Sequence, residues 1–437
     1  MNTLLSSTEG PLVRVLVMVE TPWPPTPTCH LWYAHDAAPT ATKAIRMDYI
    51  HWQDRLAGHW LPFLVSCRAG RGPRGVPKVV SLVSHACDLA TNALRVHNQN
   101  QQQHLQQQQS DQQEHYQQEQ YQHQQFQHQQ YQQQQEEEEE EGRVLESLQP
   151  KKHLALCHKF IFNPTKDFSM RLVEWVEAAR AWGVDEVTVY DGGGTHPNVS
   201  LVLRHYQKEG FLDVRPWTNP GTHPSIPHLN TALYNTQRYD LFTIENVPYT
   251  DCLLRHIDTH RYVGVWDIDE FVLPTTHTSL PEMLDEAKAR AASLGLSPTS
   301  YLARCFYYFD DQSETPSAYL PEYLHLLRHV TRTVKMTPPK VFSKAIHDTS
   351  RALGLHAHFA LVNLQGEIDQ ERELYHLYPG NEAHLAHYRP KCQGESQKEC
   401  QTTFRPYLTR DTTMWRHRHV ISKATTRVLR KLNLIPP

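Results

Sequence analysis

The segment Tyr262-Val263-Gly264-Val265-Trp266-Asp267-Ile268-Asp269-Glu270-Phe271 constrains this chain more than any other. An apolar run, closed downstream by Val272-Leu273-Pro274, ends in three carboxylates within four residues. Ionised carboxylates at the end of a buried strand require a cation, a basic partner or water. Hard divalent ions such as Mg²⁺ and Mn²⁺ take oxygen ligands and leave positions for substrate phosphates. Two arrangements therefore stand open: a strand end where a metal holds a phosphorylated donor, or one whose acids face solvent. On an extended strand Asp267 and Asp269 share one face and Glu270 points away. Asp269 is then the direct metal ligand, Asp267 reaches the metal or a donor ribose, and Glu270 holds a neighbouring partner.

The chain has 437 residues, enough for two or three domains. Its net charge of −4 argues against nucleic acid as the main partner, which calls for a basic excess. No apolar run approaches the roughly 20 residues needed to cross a bilayer. Leu12 to Val19 is short, is interrupted by Arg14 and lacks the basic start and cleavage site of a signal sequence. Two expectations follow: a cytosolic protein, or a chain without its natural N-terminus. None of the eight cysteines forms a Cys-x-x-Cys pair, which excludes the common zinc-ribbon and thioredoxin-type motifs. Cys392 and Cys400 flank a polar loop and suit either a local bridge or two separate thiols. Asn198-Val199-Ser200 is a glycosylation sequon.

Residues 1–97 carry short apolar runs broken by Pro and Gly, and read as a small β-rich accessory domain. Leu12 to Val19, Leu61 to Ser66 and Val79 to Val83 are its expected strands. Residues 98–149 are dominated by Gln and include the acidic run Glu136 to Glu141, so they read as a disordered insert. From residue 150 to 437 strands and helices alternate. Leu154 to Phe162 is a strand, and Asp167 or Ser169 can cap a helix. That helix has an apolar face of Met170, Leu172, Val173, Trp175, Val176 and Ala179, and ends at Gly183. Glu186 to Tyr190 is the next strand. Val199 to Gly210 and Leu280 to Leu294 are further helices, and Phe211 to Pro216 a further strand. Such β-α-β units favour a parallel sheet.

Asp191-Gly192-Gly193-Gly194 ends the second of these strands, where open α/β sheets bind ligands. Asp191 suits a ribose or base, and the glycines suit either close backbone approach or a flexible turn. The run is no Gly-x-Gly-x-x-Gly fingerprint, and no phosphate-binding Gly-x-x-x-x-Gly-Lys-Ser/Thr loop occurs. A third metal ligand must come from elsewhere. His356 in Leu355-His356-Ala357-His358, where the two imidazoles share a strand face, and His387 in His384-Leu385-Ala386-His387-Tyr388-Arg389 are the candidates. Arg389, Lys340 and Lys344 are candidate phosphate contacts.

A family resemblance rests on several segments together. Arg171-Leu-Val-Glu-Trp-Val-Glu, Trp182-Gly-Val-Asp-Glu-Val-Thr-Val-Tyr, His205-Tyr-Gln-Lys-Glu-Gly and Asp251-Cys-Leu-Leu-Arg-His resemble glycosyltransferase family 92. So do the Trp266 to Phe271 motif with Pro274, His387-Tyr388-Arg389, and residues 79–92. The resemblance implies an α/β nucleotide-diphosphosugar transferase of the A-type, a Rossmann-like catalytic domain. It implies a metal-dependent inverting transfer of a hexose, galactose from UDP-galactose, to a glycan or glycoprotein acceptor such as an N-glycan, including core fucose. Mn²⁺ or Mg²⁺ is the implied cofactor, held by Asp267, Asp269 and His387 or His356. Asp191, Asp267 and Arg389 are the implied donor-binding residues, and Asp310, Asp311 and Glu314 the candidates for the base. Family members are single-span type II proteins of the Golgi, so a membrane anchor is expected that this chain lacks; secretion is the alternative. Two rival functions remain: a non-catalytic carbohydrate-binding member of the fold, and a metal-dependent nucleotidyltransferase.

Overall fold

In the computed structural model the described residues are 11–34, 36–70, 75–97, 150–221, 236–312, 320–369, 375–392 and 397–436, with residues 223, 225, 226, 229 and 230. The Gln-rich insert 98–149 and Glu314 lie outside them. The chain divides into two compact units. One comprises residues 1–14, 25–46 and 66–151, the other residues 15–24, 47–65 and 152–437.

The N-terminal strands are β1 (Leu12–Val19), β2 (Thr28–Trp32), β3 (Thr40–Tyr49), β4 (Leu61–Arg68), β5 (Val79–Val83) and β6 (Leu94–Arg95). In the smaller unit β2 pairs antiparallel with both β3 and β5, and β6 pairs with β5. A disulfide joins Cys29 to Cys67 there.

The larger unit is mixed α/β. It runs β7 (Lys152–Ile161), α1 (Ser169–Ala181), β8 (Glu186–Asp191), α2 (Pro197–Lys208), β9 (Leu212–Pro216), α3 (Arg238–His256), β10 (His260–Val265), β11 (Glu270–Pro274) and α4 (Leu280–Ser293). Then follow β12 (Ser300–Ala303), β13 (Cys305–Phe309), α5 (His325–Arg328), β14 (Thr331–Thr333), β15 (Lys344–Asp348), β16 (Ala352–Leu355), β17 (Ala360–Asn363) and β18 (Gly366–Glu367). The chain closes with β19 (Tyr375–Leu377), β20 (Ala383–Arg389), β21 (Leu408–Arg410) and α6 (Arg418–Lys431).

Seven strands make the central sheet in the order β19-β12-β15-β10-β7-β8-β9. β9, β8, β7 and β10 are parallel, and β15 joins antiparallel to β10. Parallel strands need long crossovers, which α1, α2 and α3 supply. The strand order reverses at β7, with β8 and β9 on one side and β10 on the other. In open α/β sheets that reversal marks where ligands bind beyond the strands' carboxyl ends.

β7 is buried on both faces, as a central parallel strand must be. Leu154 and Leu156 join the core with Trp175, Val176 and Ala179 of α1. Their alternating neighbours Ala155 and Cys157 pack with Tyr249, Cys252 and Leu253 of α3. A disulfide between Cys157 and Cys252 bonds α3 to that face, and another joins Cys392 to Cys400. Asn246 of α3 donates to the Ile50 carbonyl at 3.1 Å and lies 3.0 Å from His51 Nδ1, which seats residues 47–65 on the same helix.

Local details differ from the sequence expectation. Met170 is 37% exposed and stands off the apolar face. The N-cap of α1 is Phe168, although Asp167 still accepts the Ser169 amide at 2.9 Å. The larger difference is that the apolar run around the acidic motif is not one strand. It breaks into β10 and β11, which belong to different sheets. β11 lies in a five-stranded sheet ordered β11-β20-β13-β14-β21.

Two outcomes can be measured. The Cys157–Cys252 bridge closes a loop of 95 residues. Replacing both cysteines by Ala should lower unfolding stability by about 2–5 kcal/mol in denaturant titrations; an unchanged midpoint would contradict this. The second concerns pH. Burial lowers the imidazoles of His256 and His384 to about 4 and that of His347 to about 3. Unfolding between pH 4 and about 6.5 lets all of them take up protons, so stability falls as pH drops through that window. Burial also raises the carboxyls of Glu174, to about 7, and of Glu186, and Asp269 is raised as well; these act in the opposite sense, but the lowered imidazoles outnumber them. Denaturation midpoints should thus be higher at pH 7 than at pH 4.5, and a flat profile would refute the balance.

Candidate active site

Trp266 is fully buried and stacks on Phe271 at 5.7 Å, so the chain must turn between them. It does so by a tight turn in which the Glu270 amide donates to the Asp267 carbonyl at 2.9 Å. Asp267 to Asp269 therefore form a turn linking the central sheet to the second sheet, and Glu270 opens β11. The expected outward direction of Glu270 is corrected accordingly. Glu270 is buried and accepts the Asp267 amide at 2.9 Å. From α1, Trp175 Nε1 donates to the Glu270 carbonyl at 3.0 Å and pins the start of β11.

Two lysines, Lys344 buried and Lys159 half-buried, meet these acids. Lys344 Nζ lies 2.9 Å from Glu270 Oε2 and 3.6 Å from Asp267 Oδ2. Lys159 Nζ lies 2.9 Å from Glu245 Oε1 and 3.5 Å from Asp267 Oδ1. Burial works against charge on both sides, but the close opposite charges win. Lys159 and Lys344 are held above the usual lysine range, and Asp267 and Glu270 below the usual carboxylate range. His158, on the same strand end as Lys159, is lowered by burial and lies 3.9 Å from Asp267 Oδ1.

Asp269 is different. Its side chain is 50% exposed, and its ion-pair partner among the described residues is His387, at 3.8 Å. Desolvation raises its carboxyl, and the like charges of Glu270 and Asp267 add to the rise; with half the side chain in water, the like charges carry more weight. Four carboxylates (Asp267, Asp269, Glu270, Glu245) thus face two ammonium groups, and the surplus negative charge gathers at Asp269. His387 pairs with Glu270 in the β20–β11 register, and its Nδ1 is buried without a hydrogen bond. Asp267 Oδ1 likewise accepts no hydrogen bond among the described residues. Hard carboxylate oxygens, one imidazole and an unmet negative charge suit a divalent cation.

The other expected residues fall as follows. Asp191 ends β8 at the same carboxyl edge of the sheet, and its Oδ1 accepts the Gly193 amide at 2.9 Å. Phe160 beside it stacks on Trp217 at 5.2 Å and on Phe162 at 5.4 Å. Arg389 ends β20, two residues beyond His387, with its guanidinium 5.3 Å over the Tyr307 ring. His356 is not on a strand. It lies in a bend after β16 against Trp52 and Phe359; the charge of Lys344 reaches both His356 and His358, but those of Glu270 and Asp267 act on His358. Lys340 lies over Tyr375 at 4.9 Å. Asp311 is paired with Arg405. Asp310 is bound by Arg171 at 3.2 Å and His325 at 3.0 Å. Burial would raise its carboxyl, but these partners lower it to about 2, which makes it a weak proton acceptor at neutral pH.

Sequence reasoning missed His158, Lys159, Glu245, His325 and His329. Lys159 carried a usable signal, because a lysine inside the apolar run Leu154 to Phe162 demands a carboxylate partner.

The model of Glycosyltransferase family 92 matches residues 152–423, well over half of the chain. The chain belongs to glycosyltransferase family 92. It is similar to two Caenorhabditis elegans members. It is 27% identical to glycosyltransferase family 92 protein C33H5.2 over 73 residues, 17% of this chain and 14% of that protein. It is 23% identical to glycosyltransferase family 92 protein F13G3.3 over 174 residues, 38% of this chain and 30% of that protein. The chain therefore spans under a third of either relative's length in the matched region. A crystal structure of 4-diphosphocytidyl-2C-methyl-D-erythritol synthase aligns over 53% of this chain and 92% of its own, at 13% identity and a TM-score of 0.20, too low to speak for a shared fold. No helix among the described residues is long and apolar enough to cross a membrane.

In this family 92 chain the lysine pair should be structural as well as local. Lys344→Met leaves Asp267 and Glu270 buried without their shared cation, and should destabilise the larger unit by about 3–5 kcal/mol in chemical denaturation. A loss below about 1 kcal/mol would show that the cluster is solvated.

Proposed function

We propose that this chain is a metal-dependent inverting glycosyltransferase of the A-type fold. It takes a hexose, galactose from UDP-galactose, to a glycan acceptor such as an N-glycan or its core fucose. The reading is supported chiefly by one observation: the unmet negative charge at Asp269, in the turn that follows β10, the neighbour of β7 where the sheet order reverses. Family membership supports a sugar-nucleotide donor. The parallel order β9-β8-β7-β10 supports the Rossmann-like arrangement.

Asp269 and His387, with Asp267 beside them, would hold Mn²⁺ or Mg²⁺, which neutralises charge growing on a departing diphosphate. Lys159 and Lys344 keep Asp267 ionised and fixed. Asp191 and the glycines after it leave room for the nucleoside, with Phe162 and Trp217 as apolar walls. Arg389 lies two residues beyond His387, where it can meet the diphosphate. His387 takes the third-ligand role rather than His356, which faces Trp52 and Phe359. The acceptor hydroxyl attacks the anomeric carbon opposite the departing UDP and gives its proton to a base; with Asp310 held low and Asp311 paired to Arg405, neither carboxylate is well placed for that task as it stands. The Golgi lumen is the proposed setting, and the three disulfides agree with an oxidising compartment.

Asp269→Asn should reduce Mn²⁺-dependent UDP release from UDP-galactose by roughly 10²–10³-fold in folded protein. Undiminished turnover would reject the metal role. Donor binding by the unmutated chain without any transfer would favour the carbohydrate-binding alternative, and pyrophosphate release a nucleotidyltransferase.

A further inference from the structure

A second cluster of ligand-type side chains, sharing no residue with the Asp267–Asp269 turn, is formed by α5 and the residue that follows β13. His325 and His329 are one helical turn apart at α5, so their rings lie on the same side, tilted by 38° with centroids 4.1 Å apart. Both Nε2 atoms converge on one oxygen: His325 is 3.0 Å and His329 is 3.4 Å from Asp310 Oδ1. Three metal ligands around a tetrahedral ion with bonds of about 2.0–2.2 Å stand roughly 3.3–3.6 Å from one another.

The proton positions narrow the choice. The carbonyl of His325 can only accept, so His329 Nδ1 donates to it at 2.7 Å. That leaves Nε2 as the His329 ring atom that faces the Asp310 carboxylate. The arrangement around the three groups is also that of a metal's outer contacts. The spare ring nitrogen of His329 is fixed by a backbone carbonyl, and the far oxygen of Asp310 is held by Arg171 at 3.2 Å. The turn itself is rigid. Glu174 accepts the amides of Leu326 and Leu327 at 2.8 and 3.0 Å, and Trp415 donates to the Leu327 carbonyl at 2.7 Å.

We propose that Asp310, His325 and His329 form a binding site for a divalent transition ion of the zinc type. Two imidazoles and one carboxylate suit zinc better than the harder ions that the Asp267–Asp269 turn suits. Three protein ligands leave one position open to water or a substrate oxygen. The site does not depend on the sugar-donor reading.

The test uses the full chain, stripped with a chelator and reloaded. Co²⁺ added to the unmutated protein should give the visible absorption of a tetrahedral ion, bleached by Zn²⁺; this needs no variant to fold. In an Asp267→Asn/Asp269→Asn background, zinc measured by mass spectrometry should still be retained stoichiometrically. Adding His325→Gln and His329→Gln should abolish that retention. Arg171→Gln, which removes only the outer hydrogen bond, should weaken zinc binding by about 10–100-fold. Absent cobalt absorption, zinc lost with Asp267→Asn/Asp269→Asn alone, or zinc kept by the histidine variants would each overturn the proposal.

Discussion

Lys159 and Lys344 hold Asp267 and Glu270 in place at the junction of two sheets, and everything proposed for the site depends on that contact. Without the lysines the carboxylates could not stay ionised inside the fold. With them, Asp267 is fixed on both oxygens and Glu270 folds back onto the Asp267 amide. The lysines do not match all the acids. What remains is concentrated on Asp269, the most exposed carboxylate of the set. A basic foundation under an acidic, open rim is the charge arrangement on which the proposed cation seat rests.

The architecture delivers this seat from distant parts of the chain. β7 supplies His158 and Lys159, α3 supplies Glu245, β15 supplies Lys344, and β20 supplies His387. The turn between β10 and β11 binds them together because it belongs to both sheets. Buried Trp266 and Phe271, stacked across it, leave the intervening acids nowhere to go but the sheet edge. The same second sheet leads from β13 into Asp310 and so carries the histidine pair on that side. Asp269 and His325 are close enough for the charge of one to act on the other.

Much of the central sheet was legible in the sequence. The strands at β7, β8 and β9 and the helices between them follow from apolar spacing, Gly183 and Gly210, and they fall within a few residues of expectation. The acidic motif was legible as chemistry but misread as geometry. Alternation along a strand assigns Glu270 to the far side, whereas the turn that buries Trp266 brings it inward. Period-two reasoning passes over such a turn because no Gly or Pro marks it, and the two aspartates that favour it read equally as ligands on a strand. The partners of the motif were harder still. Glu245 and Lys344 are remote in sequence, and only the folded topology joins them. α3, with Pro248 inside it, gave no clear helical signal. The histidine pair at 325 and 329 has a visible spacing, yet only its approach to Asp310 in space gives that spacing meaning.

The most direct measurement is a crystal of the chain grown with UDP and Mn²⁺, with anomalous diffraction used to locate manganese. The account predicts a single strong peak in coordinating distance of Asp269, with the UDP diphosphate against it and His387 alongside. A manganese–diphosphate pair lodged in another crevice, with Asp267 and Asp269 touching neither, would contradict it.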